Sequence, residues 1–189
     1  MSEAQEILCK FCGVKLIYDK LIDRLRCARA PHCKHIEWDG PWASAATLIP
    51  FPKNRVVAIR RELKADDPFG GLWCLPVGWV NRKESPRLAA IRETEEESNL
   101  RVCLMRLLYE GVPNPDYNRF TMIYLARALN PEELRAGDDA IEVGVFDRKT
   151  MPPLCFNSHA QTLDLWWSGK LGRMPAQPDH FLRELKLAA

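Results

Sequence analysis

Apolar and polar positions alternate along this chain in two periods, and the change of period marks its organisation. Residues Val14–Arg26 carry short alternating patches, Leu16 and Tyr18 and then Leu21 and Leu25, which predict a small hairpin. The turn residues Asp39-Gly40-Pro41 mark a boundary. Beyond it, Ala45–Phe51 and Arg55–Arg60 read as strands joined at Pro52-Lys53-Asn54, the second built on Val56-Val57-Ala58-Ile59. Lys64–Gly71 reads as a loop, and Leu72–Val77 as a strand and turn. Arg101–Glu110 and Arg119–Ala128 follow as strands around the proline-bearing loop Gly111–Asn118. In the second, Phe120, Met122, Tyr124 and Ala126 alternate with Thr121, Ile123, Leu125 and Arg127, so both faces are largely apolar and the strand is expected to be central. A helical turn over Pro131–Ala136, a strand opening at Asp138–Val143 and an amphipathic helix over Ser158–Trp167 complete the pattern. Trp166 and Trp167 are expected in the core, His159 on the surface, and a loose basic extension from Ser168.

Between Gly78 and Leu100 the period becomes helical. Pro86 suits a first helical turn, where its missing N–H costs nothing. Leu88 to Arg92 continue as acceptable helix formers, and Asn99 suits the left-handed position that ends a helix. At about 100° per residue, Glu93, Glu96 and Glu97 fall on one face with Arg92 beside them. Each like-charge pair at this spacing destabilises an isolated helix by about 0.2–0.5 kcal/mol. Glu95, Glu96 and Glu97 also crowd the last turn, where the macrodipole favours cations. A positive charge should offset them, and hard oxygen ligands on one face suit Mg²⁺ or Mn²⁺.

Composition narrows the picture. A length of 189 residues suits one medium domain with a small appendage, and a net charge of +2 offers no electrostatic case for nucleic-acid or membrane binding. No apolar run approaches transmembrane length, and MSEAQEIL lacks the basic start and apolar core of a signal peptide. Seven cysteines, an odd number with an early paired spacing, point to a metal site in a reducing compartment, so a cytoplasmic protein is expected. Cys9 and Cys12 form a C-x2-C knuckle with Gly13 behind it, and Cys27 and Cys33 supply a second, wider pair. That set predicts a zinc ribbon, with His32 or His35 as alternatives to one cysteine. So short a region buries little core, and bound Zn²⁺ would supply its folding energy. The expected division is a ribbon over residues 1–40 and a second domain over 41–189.

Gly78, five residues, Glu84, seven residues, Arg92-Glu93, two residues, Glu96-Glu97 resembles the box of the Nudix hydrolases, G-x5-E-x7-R-E-U-x-E-E-x-G-U. Every charged position is filled, while Thr94 stands at an apolar position and Asn99 at the second glycine. With the ribbon, the chain resembles Nudix hydrolases that include NADH and ADP-ribose/FAD pyrophosphatases. The resemblance implies an α/β fold with a mixed β-sheet between helices. It also implies metal at Glu93, Glu96, Glu97 and the Val77 main-chain carbonyl, and an acid outside the box that resembles Glu142. Glu96 and Glu142 are both candidates for the base, with Glu97 and Arg92 completing the catalytic set. Arg92 is expected to pair with Glu84 or Glu93 and hold the ligands in place. Arg60, Arg61 and Tyr117 are weaker substrate-binding candidates, the arginines for phosphate and the tyrosine for a base.

The S-Q-P-W-P-F-type motif of NADH pyrophosphatases is replaced here by YEGVPNPDYNRF, while Leu154–Ser158 resembles the tail of the ADP-ribose/FAD group. Hydrolysis of ADP-ribose or FAD is therefore the expected reaction. NADH or nucleoside triphosphates are the alternatives within the class. A non-catalytic nucleotide sensor or nucleic-acid-binding module is the alternative outside it, disfavoured by the complete box. The ribbon is expected to act as a structural cover or homodimer contact.

Overall fold

The structure is a computed structural model that describes residues 7–21, 24–37, 40–65, 67–111 and 118–171. It separates into two compact units, Met1–Pro41 and Trp42–Ala189. The first is a three-stranded antiparallel sheet of β1 (Leu16–Asp19), β2 (Arg24–Cys27) and β3 (Ile36–Glu37). Leu16 pairs with Cys27 and Asp19 with Arg24, the hairpin expected from the alternation. Its small core is Cys9, Leu16 and Cys27, with Val14 and Leu25 packed against them.

Among its described residues the second unit holds two sheets. One contains β4 (Trp42–Leu48) between β8 (Val77–Trp79) and β10 (Arg119–Ala128), with β9 (Val102–Glu110) on the far side of β10. The other is formed by β5 (Pro50–Phe51), β6 (Arg55–Arg61) and β11 (Ala140–Phe146), with β7 (Trp73–Cys74) also paired to β6. β10 lies parallel to β4 and antiparallel to β9, which makes the first sheet mixed and gives β10 the central place its two apolar faces require. β4 begins at Trp42, three residues before the expected start, because its pairing with β10 extends to Arg119 opposite Trp42.

The described residues also form helix α1 (Pro86–Ser98), helix α2 (Asn157–Trp167) and a 3-10 turn at Pro131–Glu133. Ala89 and Ala90 of α1 pack among Ala45, Ile49, Leu104 and Met122. Leu163 of α2 packs into a second cluster with Ala46, Leu48, Ile59, Leu75 and Ile123, and Trp166 and Trp167 lie partly buried against it. Contrary to the surface position expected, His159 is only 1% exposed. Its Nδ1 accepts the Leu75 N–H at 3.2 Å, so the ring satisfies a backbone donor that burial would otherwise orphan. No helix among the described residues is long and apolar enough to cross a membrane.

Candidate active site and metal centres

Local sequence sets α1 firmly. Ser85 caps it by accepting the Leu88 N–H, Pro86 occupies the first turn, and Asn99 closes it at φ 57°, where its N–H returns to the Glu95 carbonyl. Thr94, at a position where the box usually has an apolar residue, is fully buried. Its hydroxyl donates to the Ala90 carbonyl and meets the Thr47 hydroxyl at 2.7 Å, joining α1 to β4.

Arg92 gathers the acids. Its Nε and Nη2 lie 2.8 and 2.9 Å from the two oxygens of Glu84, a bidentate pair. Its Nη1 donates to Glu93 at 2.6 Å and to Glu96 at 2.8 Å, while Nη2 also donates to the Trp79 carbonyl at 3.0 Å. The guanidinium thus supplies the positive charge demanded by the acid-rich face, and it fixes three carboxylates relative to one another. Arg92 beside Glu84 holds that carboxyl below its ordinary range. Burial pushes Glu93 the other way, against the opposing pull of Arg92.

Glu97 lies deeper. It is 4% exposed, and its Oε2 accepts the Val77 N–H at 2.8 Å. Burial raises its carboxyl to about 8 despite that hydrogen bond, with the Glu93 charge adding to the rise. A buried carboxylate beside further acids is unfavourable unless a cation joins it, and carboxylate oxygens are the donors a hard divalent ion takes, but among the described residues only the four cysteines bring three or more ligand atoms together.

Gly78 makes the packing possible. A Cβ there would lie 1.9 Å from Cδ of Glu93 and 2.2 Å from both its oxygens. Gly137 does the same for the helix end, where a Cβ would stand 2.7 Å from the Glu96 carbonyl oxygen. The box spacing signals the first glycine; nothing in the sequence signals the second beyond its turn composition.

The remaining candidates are dispersed. Glu142 on β11 pairs with Arg60 at 3.5 Å, and Arg60 Nε donates to the Gly71 carbonyl. Arg61 forms a two-pronged pair with Asp67, at 2.7 and 3.0 Å, and its charge also bears on Glu97. Both arginines are therefore engaged within the protein. Tyr117 lies outside the described residues.

In the first unit, Cys9, Cys12, Cys27 and Cys33 converge until all four sulfurs lie within 4.8 Å of one another. Cys9 and Cys33 are 3.7 Å apart and Cys12 and Cys27 3.4 Å. A tetrahedral zinc with Zn–S near 2.3 Å demands sulfur–sulfur edges of about 3.8 Å, so the donor set fits. For Cys9, burial opposes ionisation, but N–H groups of Phe11 and Cys12 outweigh it and lower the thiol to about 7. The two histidines stand apart from this cluster: His35 Nε2 binds Glu37 at 2.8 Å, and neither ring joins the four sulfurs.

Comparison with known proteins gives a consistent result. A family model described as the NUDIX domain matches residues 41–165. An ADP-ribose pyrophosphatase of Methanocaldococcus jannaschii is 32% identical over 108 residues, 55% of this chain and 61% of that protein. The chain thus spans less than two thirds of the length of that curated relative. A NUDIX hydrolase structure from Nitrosomonas europaea matches with a TM-score of 0.73 at 26% identity, covering 89% of this chain and 94% of the other. An ADP-ribose pyrophosphatase structure from Streptococcus suis matches with a TM-score of 0.57 at 23% identity, over 71% of this chain and 95% of that one, a likeness of fold.

Proposed function

The chain belongs to the Nudix family, and from that premise we propose that it is a divalent-metal-dependent pyrophosphohydrolase of a nucleoside diphosphate derivative, ADP-ribose or FAD. The observation that carries the reading is the set of box carboxylates held by one guanidinium, with Glu97 buried beneath them. The M. jannaschii relative supports the substrate class.

Glu93, Glu96 and Glu97, with the Val77 carbonyl, are the residues that would hold Mg²⁺ or Mn²⁺. Bound there, the cation supplies charge neutralisation at the pyrophosphate oxygens and a lowered pKa for water. The rest falls to the protein. Arg92 holds Glu84, Glu93 and Glu96 relative to one another through its own hydrogen bonds. Val77 N–H orients the Glu97 carboxyl. Glu96 and Glu142 are both kept as candidates for water activation, each paired with an arginine, Glu96 with Arg92 at 2.8 Å and Glu142 with Arg60 at 3.5 Å. Residues 1–40 act as a zinc ribbon through Cys9, Cys12, Cys27 and Cys33, residues 41–189 as the hydrolase, and a reducing cytoplasm suits the four converging thiols.

The test is a hydrolysis screen over ADP-ribose, FAD, NADH, diadenosine polyphosphates and oxidised deoxynucleoside triphosphates with Mg²⁺ and Mn²⁺, run beside Glu97→Gln. The variant keeps an acceptor for Val77 N–H but loses the charge, so turnover should fall by orders of magnitude with the fold intact. Wild-type turnover by the variant, or no hydrolysis of any pyrophosphate by the wild type, overturns the reading.

A further inference from the structure

Cys74, Cys103 and Cys155 are the cysteines that the ribbon does not use, and two of them meet. Trp73 and Leu154 form a parallel β-bridge, and the Cys155 N–H donates to the Trp73 carbonyl at 2.9 Å. Cys74 and Cys155 occupy the next position along both segments. Residues in register across a parallel pair point to the same face, and the two backbones run about 4.8 Å apart. A disulfide spans Cα separations of about 4.4–6.8 Å, so this backbone already meets its requirement. The side chains agree with the register: the two thiols are hydrogen-bonded to each other.

The partners are unequal. Cys74 is fully buried in the cluster that holds Ile59, Leu75 and Leu163, whereas Cys155 sits partly exposed at the rim of that cluster. Cys155 also stands where the chain enters α2, one residue ahead of the cap position at Phe156. The hydrogen bond from Cys74 lowers the Cys155 thiol, and the Arg61 charge lowers it further against the opposing effect of burial. The same hydrogen bond, together with burial, raises Cys74. The outer sulfur therefore takes the thiolate role and the inner sulfur keeps the proton. That division separates the pair from ordinary core filling. Cys103 illustrates the ordinary case, a buried thiol that donates to the neighbouring Leu104 carbonyl. A partly exposed thiolate with a second sulfur in register behind it has the layout of an attacking and a resolving cysteine.

We propose that Cys74 and Cys155 form a peroxide-sensitive dithiol that closes reversibly into a disulfide, tying the start of α2 to β7. The oxidant is a hydroperoxide. The Cys155 thiolate attacks one peroxide oxygen, the O–O bond breaks, and the other oxygen leaves with the electron pair, which gives a sulfenic acid at Cys155. The Cys74 sulfur then attacks the Cys155 sulfur, the S–O bond breaks, and the departing hydroxide takes the Cys74 proton to become water. The thiol pair loses two electrons, and one peroxide gains them. A dithiol reductant reopens the bond by thiol–disulfide exchange. In a reducing compartment such a bond is a transient modification rather than a permanent staple. The inference stands apart from the hydrolase reading, since neither sulfur is a member of the acid cluster and no step needs the substrate.

The test uses the full zinc-loaded chain, titrated with hydrogen peroxide, blocked with iodoacetamide and digested without reductant for mass spectrometry. A peptide pair joined through Cys74 and Cys155 is expected before zinc leaves the ribbon, and dithiothreitol should remove it. Cys103→Ala should behave as wild type. With dimedone present to trap sulfenic acid, Cys74→Ala should accumulate an adduct at Cys155, and Cys155→Ala should show none at Cys74. Closing the bond should raise the melting temperature of the wild type by about 4–16 °C and leave both variants unmoved. Linkage of either sulfur to Cys103, to the ribbon or to a second chain overturns the pairing. Oxidation of the ribbon sulfurs while Cys74 and Cys155 stay free overturns it as well, and so does a dimedone adduct at Cys74 in Cys155→Ala. Should Cys74→Ala fail to fold, the wild-type linkage map decides alone: no Cys74–Cys155 peptide at any peroxide concentration that leaves the protein folded refutes the proposal.

Discussion

Replacing Gly78 with alanine isolates the geometry of the acid cluster with one methyl group. Gly78 lies in the ordinary extended backbone of β8, so alanine adds no conformational strain and the effect is steric. The new carbon would stand 1.9 Å from Cδ of Glu93 and 2.2 Å from each of its oxygens. Unstrained carbon contacts sit at about 3.5–4.0 Å, so the carboxyl must withdraw by roughly 1.5 Å or more. That displacement breaks the 2.6 Å bond from Arg92 and takes Glu93 away from Glu96 and Glu97. A misplacement of about 1 Å at a catalytic centre can cost roughly 100-fold in rate, whereas overpacking of this kind costs about 1–3 kcal/mol of stability. For a chain of this size each kcal/mol lowers the melting temperature by about 2–4 °C. Steady-state kinetics on the preferred substrate of the screen, across a Mg²⁺ titration, should show kcat/KM down about 100-fold and a rightward shift in metal dependence. Thermal melts should show a folded protein. Wild-type kcat/KM with unaltered metal dependence, or a crystal structure of the variant with Glu93 in place, would refute the reasoning.

Two further outcomes are expected. Protein purified without added zinc should carry about one equivalent, and chelation should lower its melting temperature while reducing activity only indirectly; freely titratable cysteines with no bound metal would remove the zinc assignment. Burial, with Arg61 adding to it, depresses His159 to about 3 from the ordinary 6.5 or so, so the folded state favours the neutral ring. Its contribution is intact above pH 6.5 or so and declines as pH falls toward 3, by about 1.4 kcal/mol per unit. Urea unfolding at pH 7 and pH 5 should therefore lose about 2 kcal/mol more in the wild type than in His159→Gln, and equal losses would refute the assignment.

Charge spacing made the acid cluster readable from sequence, because a helix converts fixed intervals into one face and the box intervals are fixed. The pairing of Arg92 with Glu84 or Glu93 is expected from the box; the structure shows Arg92 reaching both and Glu96 as well, with Glu84 brought in from the turn ahead of the helix. The four zinc candidates were readable for a similar reason, a knuckle spacing in a short segment. What escaped depends on contacts between distant elements. Thr94 is polar in sequence, yet Thr47, 47 positions away, gives its hydroxyl a partner. His159 is buried because Leu75, 84 positions away, needs an acceptor. Trp42 joins β4 only because β10 runs alongside it. Local periodicity carries no trace of any of these pairings.

The C-terminal turn of α1 shows why the acids can sit where helix energetics disfavours them. No basic residue occupies that turn, although three glutamates do. Two kinds of compensation replace one. Backbone donors cover the exposed carbonyls: Asn99 N–H returns to Glu95, Gly137 N–H to Glu97 and Arg135 N–H to Ser98. Positive charge arrives from elsewhere, from Arg92 one turn earlier against Glu93 and Glu96, and from Arg61 on β6 toward Glu97. The Glu97 and Ser98 carbonyls are thus satisfied by the 135–137 segment and that of Glu95 by Asn99, whereas Glu97 keeps a carboxyl raised to about 8. Arg61 is already bound to Asp67, so its charge only partly offsets the burial of Glu97. The electrostatic deficit that remains is concentrated at the one acid that is both buried and flanked by Glu93, which is where a divalent cation would bring the largest relief.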